Sequence, residues 1–130
     1  MSKAVIVGAG IAGLAAAAAA APFFEEVTIL DKDALPDSPL PRKGVAQDLQ
    51  VHILLKGGEL ALETLMPGTR TALLAAGAVE VRQTEDVSIW EHDAWHARRD
   101  LGHSQLMMSR PAYEHVLRRQ VLALGNVTIQ

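Results

Sequence analysis

Cysteine is absent from all 130 residues. That removes disulfides, iron–sulfur clusters, thiolate zinc sites and cysteine nucleophiles. Aromatic side chains make up only 4%, too few for base-stacking platforms. Neither sign of charge dominates: 12 basic side chains face 15 acidic ones, for a net charge of −3. The chain therefore lacks the electrostatic footprint of a nucleic-acid binder and a basic face for anionic lipid. No serine sits in a nucleophile-elbow context, so a Ser-His-Asp triad has no support. No repeat is present, and the only low-complexity tract is Ala15 to Ala21. What is present is ordinary globular usage, 49% hydrophobic and 21% charged, in a length that fits one domain over residues 1–130.

The longest uncharged run, Ala4 to Phe24, has the length of a membrane span or a signal peptide. Its internal structure argues against both. Ala4-Val5-Ile6-Val7 is a strand-like burst, Gly8-Ala9-Gly10-Ile11-Ala12-Gly13 follows, and Leu14 to Ala21 is nearly pure alanine. Alanine is the best helix former, and three glycines in six residues would weaken a spanning helix. The segment reads instead as strand, glycine turn and helix.

The turn has the spacing G-x-G-x-x-G. Gly8 permits a sharp exit from the strand, Gly10 lets a pyrophosphate approach the backbone, and Gly13 lets the helix pack closely on the sheet. The helix start then offers N–H groups and a favourable dipole to phosphate. Pro22-Phe23-Phe24 ends the helix, and Val27-Thr28-Ile29-Leu30 reads as a second buried strand ending in Asp31. Asp31 follows Gly13 by 18 residues, close to the roughly 20 expected for a ribose-binding acid. Its charge disfavours a 2′-phosphate and hence NADP as the bound dinucleotide. An ordinary βαβ unit with a solvated aspartate is the competing reading. Gly8, Ala9, Gly10, Ile11, Ala12, Gly13, Asp31 and Lys32 are the candidate cofactor-binding positions of this first unit.

The stretch VIVGAGIAGLAAA…VTILDKD resembles the N-terminal ADP-binding unit of FAD-dependent oxidoreductases of the aromatic-hydroxylase and squalene-epoxidase type. Leu35 to Gly68 resembles the arginine-containing segment and second helix of bacterial FAD-dependent monooxygenase-like proteins. Met108 to Ile129, with MSRPAYEHVLRRQVLALGNVTI, is similar to a later segment in which an arginine precedes a helix and a strand. The resemblance implies an α/β, Rossmann-like fold with a parallel sheet, helices and a small antiparallel hairpin layer. It implies FAD as cofactor, NAD(P)H as reductant and a small organic molecule as substrate of a monooxygenase. It also implies cofactor contacts for Arg42, with Lys43 as competitor, and for Arg110. Asp31 stands where many such enzymes carry glutamate, and Ala46 where a proline is expected.

The remaining segments complete the expectation. Leu35 to Lys43 is a loop, since Pro36, Pro39 and Pro41 block regular hydrogen bonding. Gln47 to Met66 is expected to be helical, with Val51, Leu54, Leu55, Leu62 and Leu65 at 3–4-residue spacing and Pro67-Gly68 as its stop. His52, early on that helix, reads as a structural histidine, although the resemblance hints at a place near the flavin. Thr69 to Ala76 is a short helix with Gly77 as its C′ residue. Val79–Val81 and Val87–Trp90 alternate as antiparallel strands. His92 and His96 are four residues apart, but they lie in a polar hairpin tip without a third ligand, so no metal is expected. Ser109-Arg110-Pro111 opens the last helix, with Tyr113, Val116, Leu117, Val121 and Leu124 as its apolar face and Arg118 and Arg119 in solvent. Asn126 to Gln130 begins a third parallel strand.

No substrate domain is expected within residues 1–130. The expectation is the N-terminal part of a longer cytoplasmic enzyme, inactive alone and completed by a C-terminal half in cis or on another chain. An NAD-dependent dehydrogenase or reductase, and a non-catalytic Rossmann fragment, are the alternatives. No side chain is singled out as catalytic.

Overall fold

The structure is a computed structural model and describes residues 1–50 and 53–130. The expected role of His52 therefore lies outside the described residues. Strand β1 (Lys3–Val7), helix α1 (Ile11–Ala20) and strand β2 (Glu26–Leu30) form the first βαβ unit. A 3₁₀ turn over Ala21–Phe23 closes α1, as Pro22 cannot continue its hydrogen-bond ladder. A second 3₁₀ turn, Ala46–Leu49, precedes α2 (Lys56–Leu65) and α3 (Thr69–Ala75). Then come β3 (Val79–Val81), β4 (Trp90–Glu91), β5 (Ala94–Trp95), β6 (Gln105–Met107), α4 (Arg110–Leu122) and β7 (Val127–Ile129).

The main sheet is parallel, in the order β1-β2-β7. Its register aligns Val5 with Thr28 and Ile6 with Ile29, then Ile29 with Ile129. Period-two alternation divides each strand between two faces. Val27, Ile29 and Val127 are buried with Leu14, Ala17 and Ala18 of α1 and Leu117 and Val121 of α4. Ala4 and Ile6 pack on that cluster, while Val5 and Val7 on the opposite face are exposed. A second cluster, Leu73, Ala78, Leu106, Tyr113 and Val116, joins α3, β6 and α4. Two small antiparallel sheets, β3-β6 and β4-β5, complete the fold.

Several local expectations need correction. Helix α2 starts at Lys56, not Gln47. The apolar residues ahead of it satisfied a helical period, but Gln50 and Leu55 are extended, and Asp48 is drawn into polar contacts that a regular helix would break. The partner of β3 is β6, with Val79 opposite Met107. Val87–Ile89 lies outside the described strands, and only Trp90 onward pairs, Trp90 with Trp95. The hairpin tip is real: His92 and Asp93 carry φ of 52° and 60°, the geometry of a two-residue turn. On α4, Arg118 is buried rather than solvated, and Leu124 is 45% exposed rather than part of the apolar face. Gly77 does close α3: its N–H donates to Leu74 O, and Ala78 N–H donates to Leu73 O.

Candidate functional site

The glycine turn is held by the strands beside it. Gly8 has φ +97°, a conformation side-chain-bearing residues avoid, and its N–H donates to Leu30 O at 2.7 Å. A Cβ on Gly13 would collide with the Gly8 carbonyl oxygen, so α1 rests directly on the turn. Gly10 is the N-cap of α1, and Leu14 N–H to Gly10 O, at 2.9 Å, is the first helical bond. The N–H groups of Ile11, Ala12 and Gly13 come before that bond and have no intrahelical acceptor. Beyond its own chain neighbours and among the described residues, a Cβ on Gly10 would meet only the Arg42 Nη2, at 4.0 Å. Backbone at the helix start is thus open on the side a diphosphate would approach.

Asp31 faces this turn. Its Oδ2 accepts from Ala9 N–H at 2.6 Å and lies 3.2 Å from Arg42 Nη1, and its Oδ1 accepts from Asp33 N–H at 2.9 Å. Burial pushes the carboxyl up, but the Ala9 and Asp33 N–H groups and the Arg42 guanidinium outweigh it and hold Asp31 below the usual carboxylate range. One side chain of the proline loop closes over the turn. Arg42 is buried, with Nε 2.7 Å from Glu114 Oε1 and Nη1 3.7 Å from Asp33 Oδ2. Burial disfavours its charge, yet Glu114 and then Asp31 raise its pKa above the ordinary value. Lys43, the competing cation, is exposed.

Arg110 joins the same network through Asp48. Asp48 Oδ2 accepts from the Arg42 N–H at 2.8 Å, and Asp48 Oδ1 lies 3.3 Å from Arg110 Nε. The loop, the 3₁₀ turn and the start of α4 therefore link Asp31, Arg42 and Arg110 in one run of polar contacts, in which Asp48 meets Arg42 at its backbone N–H. Lys32 is exposed and has no place in that run. Asp48 and Glu114 were not anticipated from the sequence. The readable signal for Glu114 was the i, i+4 series Arg110, Glu114, Arg118 on one helix face. Beside Ile11, a cavity of about 130 Å³ is lined by Leu54, Leu62, Arg110, Tyr113 and Leu117, among others. It is smaller than the roughly 300 Å³ at which ligand pockets begin.

At the hairpin, Glu91 Oε2 stands 3.1 Å from His96 Nε2 and 3.9 Å from His92 Nδ1. Among the described residues, no group of three or more His, Cys, Asp or Glu is placed to hold a metal ion. No helix among them is long and apolar enough to cross a membrane.

Comparison with known proteins bears on the fold. Residues 6–61 match the family described as NAD(P)-binding Rossmann-like domain. Protein Rv3254 of Mycobacterium tuberculosis is 37% identical over 132 residues, an alignment that takes in 97% of this chain and 27% of the relative. Two variants of 2-methyl-3-hydroxypyridine-5-carboxylic acid oxygenase share the fold, with TM-scores of 0.65 and 0.66 at 21% and 22% identity. Each covers 99% of this chain, which spans 31% of theirs. Residues 6–61 are thus similar to an NAD(P)-binding Rossmann-like domain, in a chain whose α/β fold is shared with the matching third of those oxygenase structures.

Proposed function

We propose that the chain is the FAD-binding part of a flavin-dependent oxidoreductase, an NAD(P)H-dependent monooxygenase acting on a small organic molecule. The observation that carries this reading is the joint placement of Asp31 and Arg42 against the open backbone at Gly10. Asp31 would accept from the adenosine ribose hydroxyls, and a carboxylate there repels the 2′-phosphate of NADP. Arg42 and the N–H groups of Ile11, Ala12 and Gly13 would hold the diphosphate. Arg110, beside the small apolar cavity, would meet the cofactor farther from the adenosine. The residues present fit the ADP half of FAD.

Bound flavin would supply the redox chemistry, taking electrons from NAD(P)H and activating oxygen, while the protein supplies position and charge. The oxygenase activity of the solved relatives and the resemblance of Leu35 to Gly68 to monooxygenase-like proteins support that assignment. The small cavity and the spans of the relatives support a site completed by further polypeptide, and we place the enzyme in the cytoplasm.

Calorimetric titration of the chain with FAD, ADP, NAD and NADP tests the reading. FAD and ADP are expected to bind weakly and with similar affinity, NADP least well. NAD binding at least tenfold tighter than FAD would favour a dehydrogenase or reductase. Absence of binding by all four would leave a non-catalytic Rossmann fragment.

A further inference from the structure

Arg42 reaches the glycine turn from a loop that has no regular hydrogen bonding of its own to fix a side chain. Arginine loses much rotamer freedom when it is ordered, so something outside the loop must aim it. The main-chain end is fixed by Asp48, which accepts from the Arg42 N–H. The side chain is fixed from α4. Glu114 Oε1 lies 2.7 Å from Nε, and both side chains are more than 95% buried, at 3% and 4% exposure. Glu114 is itself braced by Arg118, whose Nη1 lies 3.8 Å away while Nη2 donates to Pro36 O in the same loop. With Nε paired by charge, though not by an aligned hydrogen bond, to Glu114 and Nη1 donating to Asp31, Nη2 is the nitrogen that lies beside Gly10.

From this we infer that Glu114 is a positioning residue for nucleotide binding: through the Arg42 guanidinium it sets affinity for a diphosphate, without touching the ligand. The inference deepens the reading of the site given above and rests on it. Together with Asp31, Glu114 also balances the buried charge of Arg42 when no anion is bound. An incoming diphosphate then meets an arginine already oriented, so less freedom is lost on binding.

The test compares two probes on the same chain, ADP, which carries the diphosphate, and adenosine, which carries the ribose and base alone. Glu114→Gln keeps the shape and removes the charge. It is expected to weaken ADP about tenfold while changing adenosine less than about twofold, since charge-assisted contacts of this kind carry on the order of a tenfold effect. Arg42→Met is expected to weaken ADP more. In the Arg42→Met background, adding Glu114→Gln is expected to change ADP affinity less than about twofold, because the route through Arg42 is already gone. Equal losses for ADP and adenosine, or a full tenfold loss added in the Arg42→Met background, would show that Glu114 acts on the fold and overturn the inference. If Glu114→Gln does not fold, the pair Arg42→Met with Glu114→Met, which removes the Arg42–Glu114 ion pair as a unit and leaves Arg118 its bond to Pro36 O, is compared with Arg42→Met. Matching ADP affinities support the inference and a further tenfold loss overturns it. Wild-type chain that binds neither probe overturns the dinucleotide reading itself and this inference with it. Binding that is intact in wild type and indifferent to Glu114→Gln overturns only the inference.

Discussion

Arg42 Nη2 stands 4.0 Å from the point a Cβ on Gly10 would occupy. That distance is ordinary van der Waals contact, and Gly10 has φ −75°, which any residue adopts. A side chain at Gly10 therefore meets little in the unliganded chain and much in the liganded one. Gly10→Val is expected to change folding stability by about 1 kcal/mol or less while lowering ADP affinity at least about tenfold. Thermal unfolding and calorimetric titration of the same samples check both halves. Unchanged ADP affinity would support the non-binding fragment.

Gly13 behaves in the opposite way. The Gly8 carbonyl leaves no room for a Cβ, so Gly13→Ala must push α1 off the sheet. A loss of about 1–3 kcal/mol is expected from overpacking, read as a lower urea midpoint, with weaker ADP binding as a consequence.

The two ends of α4 differ in what they bury. Leu117 is fully buried between α1 and the sheet, whereas Leu124, just beyond the helix, is 45% exposed. Leu117→Ala is expected to cost about 2–5 kcal/mol and Leu124→Ala no more than about 0.5 kcal/mol. Urea denaturation of the two variants side by side measures the contrast.

Acid acts on this fold in two stages. Burial, then Arg118 and Arg119, hold His115 below its usual pKa, so folding favours the neutral imidazole. Its contribution is whole above the unfolded-chain value of about 6.5 and is lost as the pH falls through the lower folded value. Asp31, held below the carboxylate range, follows the same sign further down: its contribution is whole above about pH 3.9 and drains below it. His115→Gln is expected to narrow the difference between urea midpoints at pH 7.5 and 5.5. An undiminished difference in that variant would remove His115 as the source of the first stage.

The βαβ unit was legible because its signals are local. Uncharged β-branched bursts, three glycines at fixed spacing and an acid at a strand end each specify their own backbone. The start of α2 was not, because Leu54 and Leu55 keep the helical period of Leu62 and Leu65 behind them, although the backbone at Leu55 is still extended. The β3–β6 pairing joins residues more than twenty positions apart with a hairpin between them, and short strands carry little periodicity of their own. Asp31, Arg42 and Arg110 could be named singly from the sequence and the resemblance. Their convergence depends on Asp48 and Glu114, whose value lies in burial, and burial is a property of the folded chain. Arg118 was misplaced for the same reason: basic residues are usually solvated, and its partners Pro36 and Glu114 belong to distant or unexpected positions.

The contact between α1 and the Gly8 carbonyl fixes where the helix begins. Strand β1, rather than any ligand, thus decides the location and aim of the first amide groups of that helix. A dinucleotide would find this half of its berth preformed, and Arg42, held by Asp48 and Glu114, extends that order into the loop between β2 and α2. Affinity can therefore be tuned by substitutions in that loop while the glycine turn stays as it is.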